Sequence, residues 1–205
     1  LRTYMTRDAG WSLVARQLKV NARVLERLVL KHELLRKGKK VPVFLVADAY
    51  DGQFMEQALR DFHASAAGLE NLTVNLHHPK LVIDASQPPH LIVFVGHNGL
   101  MDFSVSKLFP ASTLPKSATP YISKATIVLA CKSRQYFRDN LINLTTSPML
   151  MTNNLMAPEA YTLDSAIKAW ISVGSSHAVH EAAAESYSRF QRVPKPAAKR
   201  LFHVQ

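Results

Sequence analysis

This chain of 205 residues has one cysteine, seven glycines and no long hydrophobic run. A single cysteine, Cys131, excludes any disulfide within the chain. The few glycines form no Gly-x-Gly-x-x-Gly motif, which argues against a nucleotide site built on a glycine-rich loop. No apolar run reaches the roughly 18 residues that a membrane-spanning helix needs, so we expect no transmembrane segment.

The beginning of the chain lacks familiar targeting signals. Residue 1 is leucine rather than methionine, and no basic and apolar signal peptide follows it. These features predict a processed or truncated form. A lone thiol occurs in secreted and cytosolic proteins alike, so the sequence assigns neither a compartment nor an oligomeric state.

Positive charge is concentrated at the two ends of the chain. Residues 1–40 have 11 Lys or Arg against 3 Asp or Glu, and residues 191–205 have 4 basic side chains and no acidic ones. The segment between them, with 10 basic and 12 acidic side chains, has the balanced charge of an enzyme core. The basic ends could bind an anionic partner, such as nucleic acid, a membrane surface or an acidic protein, or simply face solvent.

The apolar residues of the N-terminal segment recur at steps of three and four. They run from Trp11 to Leu35, and this spacing predicts one or two amphipathic helices with Asn21 as a cap between them. The run RKGKK would place positive charge near a helix carboxyl end, where the helix dipole favours it. We therefore assign residues 1–40 to a basic helical N-terminal segment.

From residue 41 onward, short apolar runs alternate with amphipathic segments. The expected strands are 41–50, 72–76, 81–85, 90–96, 126–131 and 148–154. The expected helices are 51–68, 134–143, 158–174 and 175–191. Because the strands are rich in Val, Ile and Leu, residues 41–191 are predicted to be an α/β domain, its mainly parallel sheet flanked by helices on both faces. The basic, Pro-containing tail 192–205 is expected to be loosely held.

Polar and reactive side chains follow several of the predicted strands. Ligands bind at the carboxyl ends of parallel strands, so we expect one shared edge for Asp48, Asp51, His97, Cys131, Asn153 and Asn154. His97 ends the run HLIVFVGH, and Cys131 ends the run TIVLAC. An imidazole beside a thiol can accept its proton and return that proton to a leaving amine, which indicates nucleophilic catalysis.

The segments VFVGHNG (93–99) and VLACKS (128–133) resemble the motifs of the caspase-fold cysteine peptidases: caspases, legumain, gingipain, clostripain and separase. The order of predicted elements from Val41 to Ser172 is also similar. The resemblance implies an endopeptidase acting on a peptide or protein substrate. It makes Cys131 the nucleophile, His97 the general acid or base, and the Cys131 amide part of the oxyanion hole. We expect no cofactor and no metal ion.

The sequence departs from the family pattern after each of these two residues. Asn98 stands where the family usually has a glycine that donates its amide to the oxyanion, and Gly99 follows. Both are candidates for the oxyanion hole, since asparagine tolerates a positive φ better than most residues. The run that follows the cysteine, Lys132-Ser133-Arg134, lacks the glycine that is frequent there in the family. A catalytically inactive caspase-like module that binds an anionic partner through its basic ends is therefore the alternative function.

Further side chains have weaker functional interpretations. The family selects substrates partly through residues after the first strand, which makes Asp48 and Asp51 candidates for binding a basic side chain. Equally, Asp51 could cap the next helix and Asp48 could fix a turn. Asp102 is a candidate to orient His97.

Two other arrangements remain open at the level of sequence. His177, His180 and Glu181 share one helical face with a spacing that a metal could use, although an ordinary surface helix accounts for them better. A flavodoxin-like domain that binds a small ligand at the same sheet edge is also compatible with the strand and helix pattern.

Overall fold

Two separate sheets divide the chain. The computed structural model describes residues 1–36, 38–68, 89–103, 124–144 and 146–204. Leu1–Met55 belong to one compact unit, and the described residues from Glu56 onward belong to a second. The units thus divide after Met55, whereas the sequence pattern placed a boundary at residue 40.

The first unit is an antiparallel sheet preceded by a short helix. Its elements are α1 (Arg2–Arg7), β1 (Ser12–Leu18), β2 (Val24–Arg36) and β3 (Lys39–Tyr50). Each strand pairs with the next in the order β1-β2-β3. Gly38 lies in the turn between β2 and β3 with φ +74°, a left-handed conformation that glycine adopts without strain. Trp11, Val29 and Leu30 are buried in this unit.

The prediction of helices between Trp11 and Leu35 is wrong, because these residues form β1 and β2. Leu28, Val29 and Leu30 are consecutive and all buried, so the strand lacks the alternation that identifies a half-exposed strand. Asn21 does accept two backbone hydrogen bonds at 2.8 Å, but it shapes the turn between the strands instead of capping a helix. Long-range pairing of β2 with β1 and β3 overrides the local pattern.

The second unit contains a four-stranded sheet with the order β4-β5-β6-β7. Strands β4 (Leu91–Val95), β5 (Ala125–Leu129) and β6 (Ser147–Thr152) are parallel, and β7 (Phe202–His203) runs antiparallel to β6. Its helices are α2 (Met55–Ala67), α3 (Ser133–Asn143), α4 (Ala160–Ser172), α5 (Ser176–Gln191) and α6 (Lys195–Leu201). None of the helices in the described ranges combines the length and apolar character needed to cross a bilayer.

The mixed α/β class and the parallel strands are confirmed. The strands expected at 90–96, 126–131 and 148–154 and the helices expected beyond residue 50 are present, with ends shifted by a few residues. Strand 41–50 also exists, but the expectation that it joins the parallel sheet is wrong, because β3 belongs to the antiparallel one. The predicted strands 72–76 and 81–85 lie outside the described residues.

Strand β5 lies at the centre of the core of the second unit. All five of its residues are buried, and because successive side chains point to opposite faces, both faces of the strand are covered. Phe137 and Leu141 of α3 are also fully buried. A strand buried in this way positions the residues that follow it with little freedom.

The tail after residue 191 is docked, so the prediction of a loosely held tail is wrong. Pro194 lies at the start of α6, where a missing backbone N–H costs the helix no hydrogen bond. Strand β7 then pairs with β6, with Phe202 opposite Thr152. The ring of Phe202 meets Tyr187 edge to face with centroids 5.6 Å apart.

A histidine of the second unit, His63, is buried in the core. His63 of α2 is 1% exposed, its Nδ1 donates to the carbonyl of Leu59 at 2.8 Å, and its ring stacks on Phe137 with centroids 5.8 Å apart. Burial lowers the pKa of His63 below the ordinary value of 6.5, because the imidazolium ion is poorly solvated there.

The unfolded chain therefore binds a proton at His63 at a higher pH than the folded chain does. The stability that neutral His63 permits is present above about pH 6.5 and is lost as the pH falls, by at most about 1.4 kcal/mol per pH unit. We expect His63→Phe to flatten the loss of unfolding free energy between neutral pH and pH of about 5. Urea unfolding at several pH values measures this. The exposed His177, changed to Phe, should keep the wild-type slope, and an unchanged slope in His63→Phe would contradict the prediction.

Candidate functional site

Strands β4 and β5 bring His97 and Cys131 to one edge of the sheet. The strands pair in parallel with Val95 opposite Leu129, and the amide of Gly96 donates to the carbonyl of Leu129 at 3.2 Å. His97 lies two residues beyond Val95, and Cys131 lies two residues beyond Leu129. The two residues thus follow neighbouring strands at equivalent positions.

Asn98 connects the ends of these two strands. Its side chain is buried; Nδ2 donates to the carbonyl of Cys131 at 2.7 Å, and Oδ1 accepts from the amide of Leu100 at 3.1 Å. The second bond begins the short 3-10 helix Gly99–Met101. The φ of Asn98 is −85°, so this position needs no left-handed conformation. Glycine could make neither of these side-chain bonds, so the two bonds explain why an asparagine suits this position.

The imidazole of His97 is oriented by Asp102. Nε2 lies 2.6 Å from Oδ2 of Asp102, and the two side chains are 58% and 61% exposed. Because the carboxylate accepts, Nε2 carries the donated proton and Nδ1 of the neutral ring is left as the acceptor. A pair this exposed contributes little stability, but it selects the ring nitrogen that can receive a proton from a thiol.

The thiol of Cys131 lies against the loop after β6. Its Sγ accepts from the amide of Met156 at 3.4 Å and donates to the carbonyl of the same residue at 3.6 Å. Cys131 is partly exposed, so this sulfur is within reach of solvent. Within the described ranges, no hydrogen bond joins Sγ to His97. In this conformation each of the two candidate catalytic groups has a different partner.

Two backbone amides around the site have partners in the surrounding loops: that of Gly99, which was proposed for the oxyanion hole, and that of Lys132. The Gly99 amide donates to the carbonyl of His97 at 3.2 Å, and the Lys132 amide donates to the carbonyl of Asn154 at 2.9 Å. Lys132 has φ 50° and ψ 31°, the left-handed conformation that glycine would adopt without strain. The chain therefore has a lysine in a glycine-like conformation directly after Cys131.

A buried pair of hydroxyl groups supports the loop that holds Cys131. Ser133 Oγ donates to the carbonyl of Val128 at 2.9 Å and accepts from the amide of Thr152 at 2.9 Å. The Ser133 amide donates to Thr152 Oγ1 at 3.2 Å, and that hydroxyl donates to the carbonyl of Ala130. Sequence reasoning missed this pair. Its signal is a small hydroxyl residue four positions after the end of one apolar strand and another at the end of the next strand.

Asp48 and Asp51 do not follow a strand of the parallel sheet, so that expectation is wrong. Asp48 lies on β3 and binds Arg27 of β2 through two hydrogen bonds of 2.6 Å, and this hydrogen bonding raises the pKa of Arg27. Asp51 accepts from the amide of Gln53 at 3.0 Å and caps a 3-10 helix. Both carboxylates belong to the first unit, whereas His97 and Cys131 belong to the second.

The helical face with His177, His180 and Glu181 contributes to docking the tail. His180 Nε2 donates to the carbonyl of Lys199 at 3.0 Å, and Glu181 pairs with the Lys199 ammonium at 2.6 Å. In the part of the chain that the structure describes, no three His, Cys, Asp or Glu side chains are grouped so that they could hold a metal ion.

The remaining two residues expected at the edge follow β6. Asn154 fixes Lys132 through its carbonyl, and Asn153 binds the C-terminal tail through both its backbone and its side chain.

Comparison of this chain with protein-family models, curated proteins and solved structures finds no match. The caspase-like interpretation is therefore a hypothesis based on the motif residues and on the geometry around His97 and Cys131.

Proposed function

We propose that this protein is a caspase-like cysteine endopeptidase in which Cys131 is the nucleophile and His97 is the general acid and base. The observation that carries the proposal is the parallel pairing of β4 with β5, which leaves His97 and Cys131 at equivalent positions beyond Val95 and Leu129. The proposal includes the caspase-like arrangement of helices on both faces of the parallel sheet, which the burial of both faces of β5 supports.

The proposed reaction passes through a thioester. The Cys131 sulfur attacks the scissile carbonyl carbon, His97 Nδ1 accepts the thiol proton, and the amine leaves with that proton as the C–N bond breaks. Water then attacks the thioester while His97 accepts a proton from it. This step releases the carboxylic acid, and the proton returns to the sulfur. Asp102 acts as a positioning residue because it holds the ring through Nε2.

The thiol must first leave its present partner. Sγ is hydrogen-bonded to Met156, so the reaction begins with a rotation of the Cys131 side chain toward His97. Because the thiol is a weak donor and its sulfur is a weak acceptor, breaking these two bonds costs little free energy.

Substrate selection is a separate part of the proposal. Cleavage after a basic residue is one of the interpretations that the sequence offers for Asp48 and Asp51. Selection by Asp48 would first require the release of Arg27, which already occupies both carboxylate oxygens. Asp51 accepts the amide of Gln53 through one oxygen. The geometry therefore supports the reaction type more directly than it supports a preference for basic residues.

A second candidate function is a catalytically inactive module of the same fold. Two contacts favour it: the Met156 backbone bonds to Sγ, and the Gly99 amide bonds to the carbonyl of His97 instead of facing a substrate oxyanion. In this alternative, the basic ends of the chain bind an anionic partner and Cys131 is an ordinary, partly buried thiol.

Alkylation of Cys131 distinguishes the two functions. We expect a peptidyl acyloxymethyl ketone to label the wild type about tenfold faster than His97→Ala, because only an adjacent base activates the thiol. Mass spectrometry of the labelled peptide measures the rate, and Cys131→Ser provides the blank. His177→Ala is the matched control, since it removes a histidine remote in sequence and should leave the rate unchanged. Equal rates for wild type and His97→Ala would contradict the peptidase and support the inactive module.

A further inference from the structure

Asn153 links basic residues of α3 and of the C-terminal tail. Arg134 and Arg138 are four residues apart on α3 and therefore share one face of that helix. The Arg134 guanidinium donates to Asn153 Oδ1 at 3.3 Å, and Asn153 Nδ2 donates to the carbonyl of Arg200 at 3.0 Å. Asn153 thus holds the arginine face of α3 beside the junction of α6 and β7.

The positive charges in this region are close enough to affect one another. Burial, followed by the charges of Arg134, Arg138 and His180, lowers the pKa of His203 on β7. Arg138 has a carboxylate partner in its neighbour Asp139 at 3.1 Å, but both side chains are exposed and such a pair contributes little. Like charges held together by packing repel each other, and a bound anion would relieve this repulsion.

Carboxylates of the described residues do not neutralise the centre of this region. The Lys199 ammonium is paired with Glu181, and Lys195 is paired with Glu185. Arg134 and Arg200, in contrast, form no ion pair within the residues that the structure describes. Their charges are therefore available to a partner molecule.

We propose that Arg134, Arg138 and Arg200 form a cationic surface that binds the phosphate backbone of a nucleic acid without regard to its base sequence. A group of neighbouring arginines suits a partner whose negative charge repeats, and guanidinium groups pair well with phosphate oxygens. The formal net charge of +10 over 205 residues has the same sign and would steer a polyanion toward the protein. This surface does not depend on the proposed peptidase activity.

Fluorescence anisotropy with a short mixed-sequence DNA duplex tests the proposal on the full chain. We expect the double variant Arg134→Gln/Arg138→Gln to weaken binding about tenfold and to reduce the slope of log K against log salt by about 2. The variant Arg134→Lys/Arg138→Lys keeps both charges, so it should retain the wild-type salt slope and lose less affinity than the glutamine variant. Thermal unfolding checks that each variant is folded.

A matched control separates this surface from net charge alone. Arg60→Gln/Arg189→Gln removes two arginines from α2 and α5 and should bind like the wild type. Wild-type affinity in Arg134→Gln/Arg138→Gln, or no binding of DNA by the wild type, would overturn the proposal. Tighter binding of polyglutamate than of DNA would overturn it in favour of an acidic protein partner. Cys131→Ala should bind DNA normally, so failure of the peptidase proposal is distinguishable from failure of this one.

Discussion

Replacing Phe202 by alanine is expected to lower the free energy of unfolding by about 3–5 kcal/mol, the largest effect that we predict for a single substitution. Phe202 is 3% exposed, and its ring packs edge to face on Tyr187. The substitution removes a buried aromatic ring and leaves a cavity beneath the last strand of the sheet. Urea unfolding of the wild type and the variant, with equal denaturant slopes, measures the difference.

Phe190→Ala is the matched control for this prediction. Phe190 stacks on Tyr161 with centroids 4.3 Å apart, but it is 44% exposed. Its removal forms no closed cavity, so we expect a loss below about 1.5 kcal/mol. A loss of similar size in the two variants would show that the tail carrying Phe202 is not docked against β6.

The second large effect is expected from Thr152→Val, which should lower the free energy of unfolding by about 2 kcal/mol. Valine has nearly the same shape but cannot accept from the Ser133 amide or donate to the carbonyl of Ala130. Both of these backbone groups are buried and stay hydrogen-bonded to each other at 3.3 Å, so the expected cost is that of the two lost bonds to the hydroxyl, each about 1 kcal/mol. Chemical unfolding again provides the measurement.

Thr126→Val provides the corresponding control in the neighbouring strand. Thr126 is as deeply buried as Thr152, and its hydroxyl oxygen makes no hydrogen bond within the described ranges. Replacing this hydroxyl by a methyl group should therefore leave stability unchanged or raise it slightly. If the two threonine substitutions cost the same, the pair of Ser133 and Thr152 does not hold the Cys131 loop in the way that the hydrogen bonds indicate.

The two halves of the chain differ in how well local pattern predicts them. The segment 126–131 was correctly expected to be a buried strand, because a short run of β-branched and apolar residues between polar segments is typical of one. The segment from Trp11 to Leu35 forms strands instead of helices, because β2 is paired along both of its edges and this pairing outweighs the local preference of its residues. Periodicity alone contains no information about such pairing.

The candidate site was also only partly predictable from the sequence. The positions of His97 and Cys131 after neighbouring strands could be anticipated, because the ends of parallel strands lie along one edge. The side-chain contacts there could not be anticipated. Asn98 reaches the carbonyl of Cys131 across 33 residues of sequence, and the sulfur reaches Met156 across 25.

The sequence by itself determined the α/β character, the strands that precede His97 and Cys131, and the concentration of positive charge at the chain ends. These properties depend on composition and on short-range pattern, and neither requires knowledge of contacts between distant segments of the chain. Only the tertiary structure decided that residues 12–50 form an antiparallel sheet, that Asp48 binds Arg27, and that the basic tail docks against β6. Each of these depends on contacts between segments far apart in the chain, whose energies exceed the local preferences of the residues involved.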